Sequence, residues 1–237
     1  MNGRRLHVSE DMKYEEFKQK YLTNNKIGDN FNNNQAVNVP EVERLAKSVI
    51  NPKNTSELNN VLTKYVSDDY FKVDPKLDRA ITYAYGAEKI LYNPNHSMWS
   101  YYNQIEAVTH EINHLIDFEY GISIELSSEI YESVEKAKLI IIRDRKHYER
   151  LLDGELGENM SVSDLMSAIT ENELYGDYYH KKEYWEVIGN REREIVANLM
   201  TLYYTNHTAG LNFINEIEPL RKLFEAVKAE YVQRVGA

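Results

Sequence analysis

The chain has no cysteine. That excludes disulfides, thiolate metal sites and thiol nucleophiles, and it fits a reducing compartment. It also lacks a basic surplus: 28 Lys and Arg stand against 38 Asp and Glu, a net charge of −10. Phosphate backbones need the opposite sign, so no nucleic-acid partner is expected. No run approaches the roughly 20 apolar residues of a membrane span. The polar first 20 residues have no apolar stretch of the signal-peptide kind, so neither a signal peptide nor a transmembrane segment is expected.

What remains is globular composition, 42% hydrophobic over 237 residues, enough for one sizeable core. Residues 1–35 are polar and end in an asparagine-rich stretch. A short helix is predicted over 14–22, followed by a linker. Pro40 is placed to open a helix carrying Val42, Leu45 and Val49. Thr55 or Ser56 begins another, with Leu58, Val61, Leu62 and Tyr65 on one face.

Two β-prone runs follow, 81–86 and 88–92. Beyond them a helix is predicted over 101–118, its apolar side marked by Ile105, Val108, Ile112 and Ile116, with Gly121 past its end. A long charged helix is expected over 127–152, and shorter ones over 163–170 and 191–204. A last helix over 211–235 is expected to be interrupted at Pro219. Residues 1–75 form a helical N-terminal adaptor region in this reading, and 76–237 the functional unit.

The chemistry concentrates in His110-Glu111-Ile112-Asn113-His114, the H-E-x-x-H pattern. Residues i and i+4 share a helix face, so both imidazoles can approach one Zn²⁺ at about 2.0–2.1 Å. Glu111 is placed to take a proton from a metal-activated water. With only seven histidines in the chain, chance rarely supplies this pattern.

A peptidase zinc needs a third protein ligand and one open position. The H-x-x-G-x-x-H continuation fails, because Asp117 and Tyr120 occupy its positions. Glu194 is a candidate, on a segment whose Ile195, Val196, Leu199 and Leu202 suit packing against the motif helix. By composition alone, the reading of Glu192 and Glu194 as solvated charges paired with Arg191 and Arg193 would win.

Several blocks resemble the lethal-factor-like gluzincin peptidases. That group includes the catalytic domain of anthrax lethal factor, the clostridial Pro-Pro endopeptidases, and the metallopeptidase-like domain of phage minor head (head morphogenesis) proteins. Those families show H-E-x-G-H-x-x-D, and this chain has His110-Glu111-Ile112-Asn113-His114-Leu115-Ile116-Asp117. They carry a later E-x-x-A-[EN] helix, matched by Glu194-Ile195-Val196-Ala197-Asn198, and a final F-I-N helix, matched by Phe213-Ile214-Asn215. The phage domains are similar in the middle as well, through Asp164 to Thr170, Gly176, His180 and Tyr184-Trp185. The likeness spans about residues 80–220.

This resemblance implies an α+β, mostly helical, zincin-like domain with a small sheet packed on the HExxH helix. It implies Glu194 as the third zinc ligand and peptide-bond hydrolysis of a protein or peptide substrate. The implied setting is phage or prophage: a virion component in contact with other virion proteins, or a toxin-like effector in the host cytoplasm. A non-catalytic virion adaptor that keeps the fold remains the alternative. A peptidase with one dedicated protein target is a third reading.

Two departures matter. Asn113 stands where the family has glycine. Val187 stands where the lethal-factor group has a catalytic tyrosine, about two helical turns before the ligand glutamate. Tyr184 and His180 are the nearby candidates to stabilise an oxyanion, and His180 is also an alternative third ligand. Asp117 is expected either to accept the outer N–H of a zinc-bound histidine or to buttress a neighbouring helix. Glu106 reads as solvated or salt-bridged. The 86–92 run lies where zincins carry an edge strand that pairs with substrate, and it also reads as an ordinary core strand.

Overall fold

The computed structural model describes residues 8–9, 39–50, 53–84, 87–100 and 103–235. The helix expected over 14–22 and the linker after it lie outside these residues. The described chain is mostly helical, with a small three-stranded sheet, and so is α+β.

The central element is α3, Gln104–Tyr120. The Asn103 side chain accepts from Glu106 N at its start, and Gly121 closes it with φ 65°, a left-handed conformation that glycine adopts without steric cost. From Glu106 to Asp117 nearly every side chain is buried, on all faces. Such a helix needs neighbours all round. They are α1 (Val39–Ser48), strand β3 (Ile81–Ala84), α8 (Met160–Thr170) and α10 (Asn190–Tyr204).

Strand β4 (Lys89–Tyr92) lies between β2 (Phe71–Val73), parallel to it, and β3, antiparallel to it. Within the 86–92 run, residues 89–92 therefore form the middle strand of the sheet, the core strand of the two expectations and not an edge. The edge facing α3 is β3, whose Tyr83 N–H donates to Glu111 Oε2 at 2.6 Å.

The division expected at residue 75 runs through a single core. One hydrophobic cluster joins Val42, Leu45, Val61 and Tyr65 to Ile112, Leu199 and Val235. β2 on one side of that line pairs with β4 on the other. Helix α2 (Ser56–Thr63) starts where expected, with Thr55 as its N-cap.

The long helix expected over 127–152 breaks at Asp144 into α5 (Ser127–Arg143) and α6 (Arg145–Leu152). Short α4 (Ile122–Glu125) and α7 (Glu155–Glu158) flank them. At the C-terminal end, Pro219 opens a helix and does not interrupt one. α11 (Thr208–Glu216) ends before it, and α12 (Glu218–Glu230) begins with proline in its first turn, where the missing N–H costs nothing. A π turn, Tyr231–Val235, follows.

Buried polar side chains pin α3 to its surroundings. Asn113 donates to Thr201 Oγ1 of α10 at 3.2 Å and accepts from the Tyr231 hydroxyl at 3.2 Å. The Asn113 amide thus ties the motif helix to two other elements. Glu106 is buried, not solvated. It accepts from Ser161 N at 2.7 Å and Asn159 Nδ2 at 3.1 Å, and so holds the N-terminus of α8, where a carboxylate also suits the helix dipole.

Two glycines set the approach of the next segment. A Cβ on Gly176 would lie 2.3 Å from Gly157 O, and one on Gly157 would lie 1.9 Å from Leu152 O. This backbone-on-backbone contact brings β5 (Tyr178–Tyr179) against α8. β5 pairs in parallel with β1 (Val8–Ser9).

Asn113→Ala should destabilise the fold by about 1–3 kcal/mol, because it leaves the Thr201 and Tyr231 hydroxyls without their buried partner. Urea unfolding measures this, and unchanged stability would show that these bonds contribute nothing.

Candidate metal centre

One turn apart on α3, the His110 and His114 rings meet edge to face, with centroids 4.5 Å apart. Their Nε2 atoms are 2.9 Å from each other. Glu194, in the first half of α10, brings Oε2 to 3.1 Å from His110 Nε2 and 3.3 Å from His114 Nε2. Three donors at about 2.0–2.1 Å from a tetrahedral metal lie about 3.3–3.4 Å apart, so this triangle is close to metal-binding size. The three side chains form a group that could hold an ion.

Charge points the same way. Glu194 is only 2% exposed. Burial works against its ionised form but is outweighed by His114, His180 and His110, which hold its pKa well below the usual carboxylate range. For His110, burial opposes the charge, yet Glu194, then Glu111 and Asp164, hold its pKa up to about 9. The cluster therefore favours a cation at its centre: a proton at neutral pH, for which a divalent ion can substitute. Glu194 Oε2 makes no hydrogen bond of acceptable geometry, and His114 Nδ1 has no partner. An orphaned buried carboxylate oxygen aimed between two imidazoles fits a metal.

The other sequence-derived residues gather around this triangle. Glu111, His180 and Tyr184 line the same cleft as the three ligand candidates. Tyr184, in α9 (Lys182–Trp185), donates its hydroxyl to Glu194 Oε1 at 2.6 Å. Its ring stacks on His180, centroids 4.0 Å apart and planes 16° apart. Val187, at the position suggested by family spacing, is 55% exposed; the phenol at the site comes from Tyr184.

His180 stands behind Glu194, with Nε2 3.8 Å from Oε1. Its Nδ1 is 2.8 Å from Asp164 Oδ1. Asp164, His180 and Glu194 also form a group of potential ligands. The two carboxylates address different ring nitrogens, however, Asp164 by a hydrogen bond and Glu194 at 3.8 Å, which does not describe a shared ion. Asp117 is spent elsewhere: its oxygens accept from Ser123 N at 2.6 Å and Ser123 Oγ at 2.7 Å. Of its two expected roles, the geometry matches the buttress of a neighbouring helix, α4.

Sequence reasoning gave no role to Asp164, which is 1% exposed. It also accepts from His180 N at 3.2 Å and from Asn198 Nδ2 at 2.8 Å. An aspartate near a helix start reads as a local cap, and nothing in the spacing announces a partner 16 residues on. The Tyr83 N–H that orients Glu111 was equally hidden, because a backbone donor leaves no mark in a sequence. Among the remaining histidines, His96 and His207 cap local turns through Nδ1, and His7 lies outside the described residues.

No family model matches the chain, and neither does any curated protein or solved structure. The geometry above therefore stands on its own.

Zn²⁺ should stabilise the apo protein by about 2.7 kcal/mol at a free concentration 100 times its dissociation constant. His114→Ala and Glu194→Ala should abolish that gain. Thermal unfolding with and without Zn²⁺ reads it, and equal shifts in wild type and both variants would place the ion elsewhere.

Proposed function

We propose that this chain is a zinc-dependent peptidase of the gluzincin type. The observation that carries the reading is the convergence of His110 Nε2, His114 Nε2 and Glu194 Oε2 within 2.9–3.3 Å of one another, with Glu111 beside them. The zincin-like character of the fold and the phage or prophage setting belong to the same proposal and rest on the resemblance of the sequence blocks.

When bound, zinc would lower the pKa of a coordinated water towards about 7 and polarise the scissile carbonyl. Everything else falls to the chain. The Tyr83 N–H fixes the orientation of the Glu111 carboxylate. Glu111 takes a proton from the attacking water and returns it to the amine nitrogen as the C–N bond breaks. Tyr184 and His180 face the same cleft and are assigned to the charge that develops on the carbonyl oxygen. Asp164 holds the His180 ring through Nδ1 and keeps Nε2 turned towards the site.

Glu111→Gln should keep zinc stoichiometry and lose about 10²–10⁴ in kcat on a peptide library. Tyr184→Phe should lose about 10²-fold in kcat and weaken zinc about 10- to 100-fold, because its hydroxyl is the partner of Glu194 Oε1. Elemental analysis and library cleavage by wild type decide the main point. Stoichiometric zinc without cleavage of any peptide would leave a structural site in a non-catalytic protein. No bound metal would sink both readings.

A further inference from the structure

Beside the metal centre, on the side of α8, lies a small cavity of about 20 Å³. Its size corresponds to roughly one or two waters. His110 and Glu111 line it, and Ile81, Ala107 and Met160 supply apolar wall. Ser161 also lines it. This serine is 1% exposed, and its hydroxyl has no hydrogen-bond partner.

That hydroxyl is an anomaly among the buried polar groups of this region. The Ser161 backbone N–H is committed to Glu106, and the neighbouring Ser163 hydroxyl is fully engaged, accepting from Gly176 N and Tyr178 N. A buried hydroxyl left unpaired costs about 1–3 kcal/mol. A group that enters the cavity, water or ligand, can supply its partner.

We infer that this cavity is a side-chain subsite and that it selects a small hydroxyl-bearing residue, serine or threonine, next to the scissile bond of a peptide ligand. The inference rests on the metal-centre reading, since it places the ligand's backbone at His110 and Glu111. The volume admits one or two heavy atoms beyond Cβ and excludes leucine or phenylalanine. Ser161 Oγ supplies the hydrogen bond that separates serine from alanine.

The test uses the zinc-loaded full chain and peptide hydroxamates, which bind through the metal and need no turnover. Each compound carries Gly, Ala, Ser, Thr, Leu or Phe on one side or the other of the chelating group, and dissociation constants are measured by calorimetry. In one of the two series, serine and threonine should bind about five- to tenfold tighter than alanine, with leucine and phenylalanine weakest. Ser161→Ala should bring serine and alanine within about twofold while leaving zinc and glycine-compound affinity unchanged. Equal binding of serine and alanine in wild type, or tight binding of the large side chains in both series, would overturn the subsite and leave the metal centre standing. Absence of zinc binding would remove the metal centre and the subsite with it.

Discussion

A carboxylate sealed between two imidazoles is the constraint around which this molecule is arranged. Burying an ionised Glu194 without compensation would cost far more than a fold of this size can spare. The structure divides the compensation between its two oxygens. Oε2 faces His110 and His114, and Oε1 takes the Tyr184 hydroxyl. For that to hold, α3 and α10 must pack closely and in one register. Hence both helices are buried on nearly all sides, and Asn113, next to His114, bonds Thr201, about two turns along α10 from Glu194.

The buried polar groups sort into two kinds. Glu106, Asn113, Asp117 and Asp164 each have partners inside the fold: Ser161 and Asn159, Thr201 and Tyr231, Ser123, and His180 with Asn198. These are scaffold bonds, which hold helix termini and helix pairs in place. His114 Nδ1 and Ser161 Oγ are buried without a hydrogen-bond partner, and Glu194 Oε2 meets only the two imidazoles it faces; all three belong to residues at the candidate metal centre or the cavity beside it, whereas Asn54 Nδ2, also unpartnered, lies elsewhere. Unpartnered polar atoms gathered beside a cleft are what a binding site leaves open for its ligand.

How much of this the sequence announces depends on the range of the interaction. The His110–His114 pair is a local, periodic feature and was readable directly. So were the Thr55 cap and the Gly121 stop, because capping chemistry spans only a few residues. Strand β2 was not readable, since Phe71-Lys72-Val73 is too short to show alternation and is made a strand by β4. Glu106 looked solvated because glutamate usually is; its burial follows from the two donors at the start of α8, more than 50 residues away. Glu194 lay between these cases. Its helix was legible from periodicity, but its choice over Glu192 needed the family resemblance.

Tyr184 shows where counting along a helix fails. Spacing of about two turns before Glu194 pointed to Val187, on the assumption that α10 continues upstream without a break. It does not: Gly189, at φ 88°, precedes its first residue and turns the chain. Val187 and Ile188 are thereby thrown outward, the latter 96% exposed. The phenol arrives instead from α9, a separate short helix whose Trp185 is anchored by Asn172 Oδ1 at 2.9 Å. Residue spacing transfers between proteins only while the element that carries it is continuous.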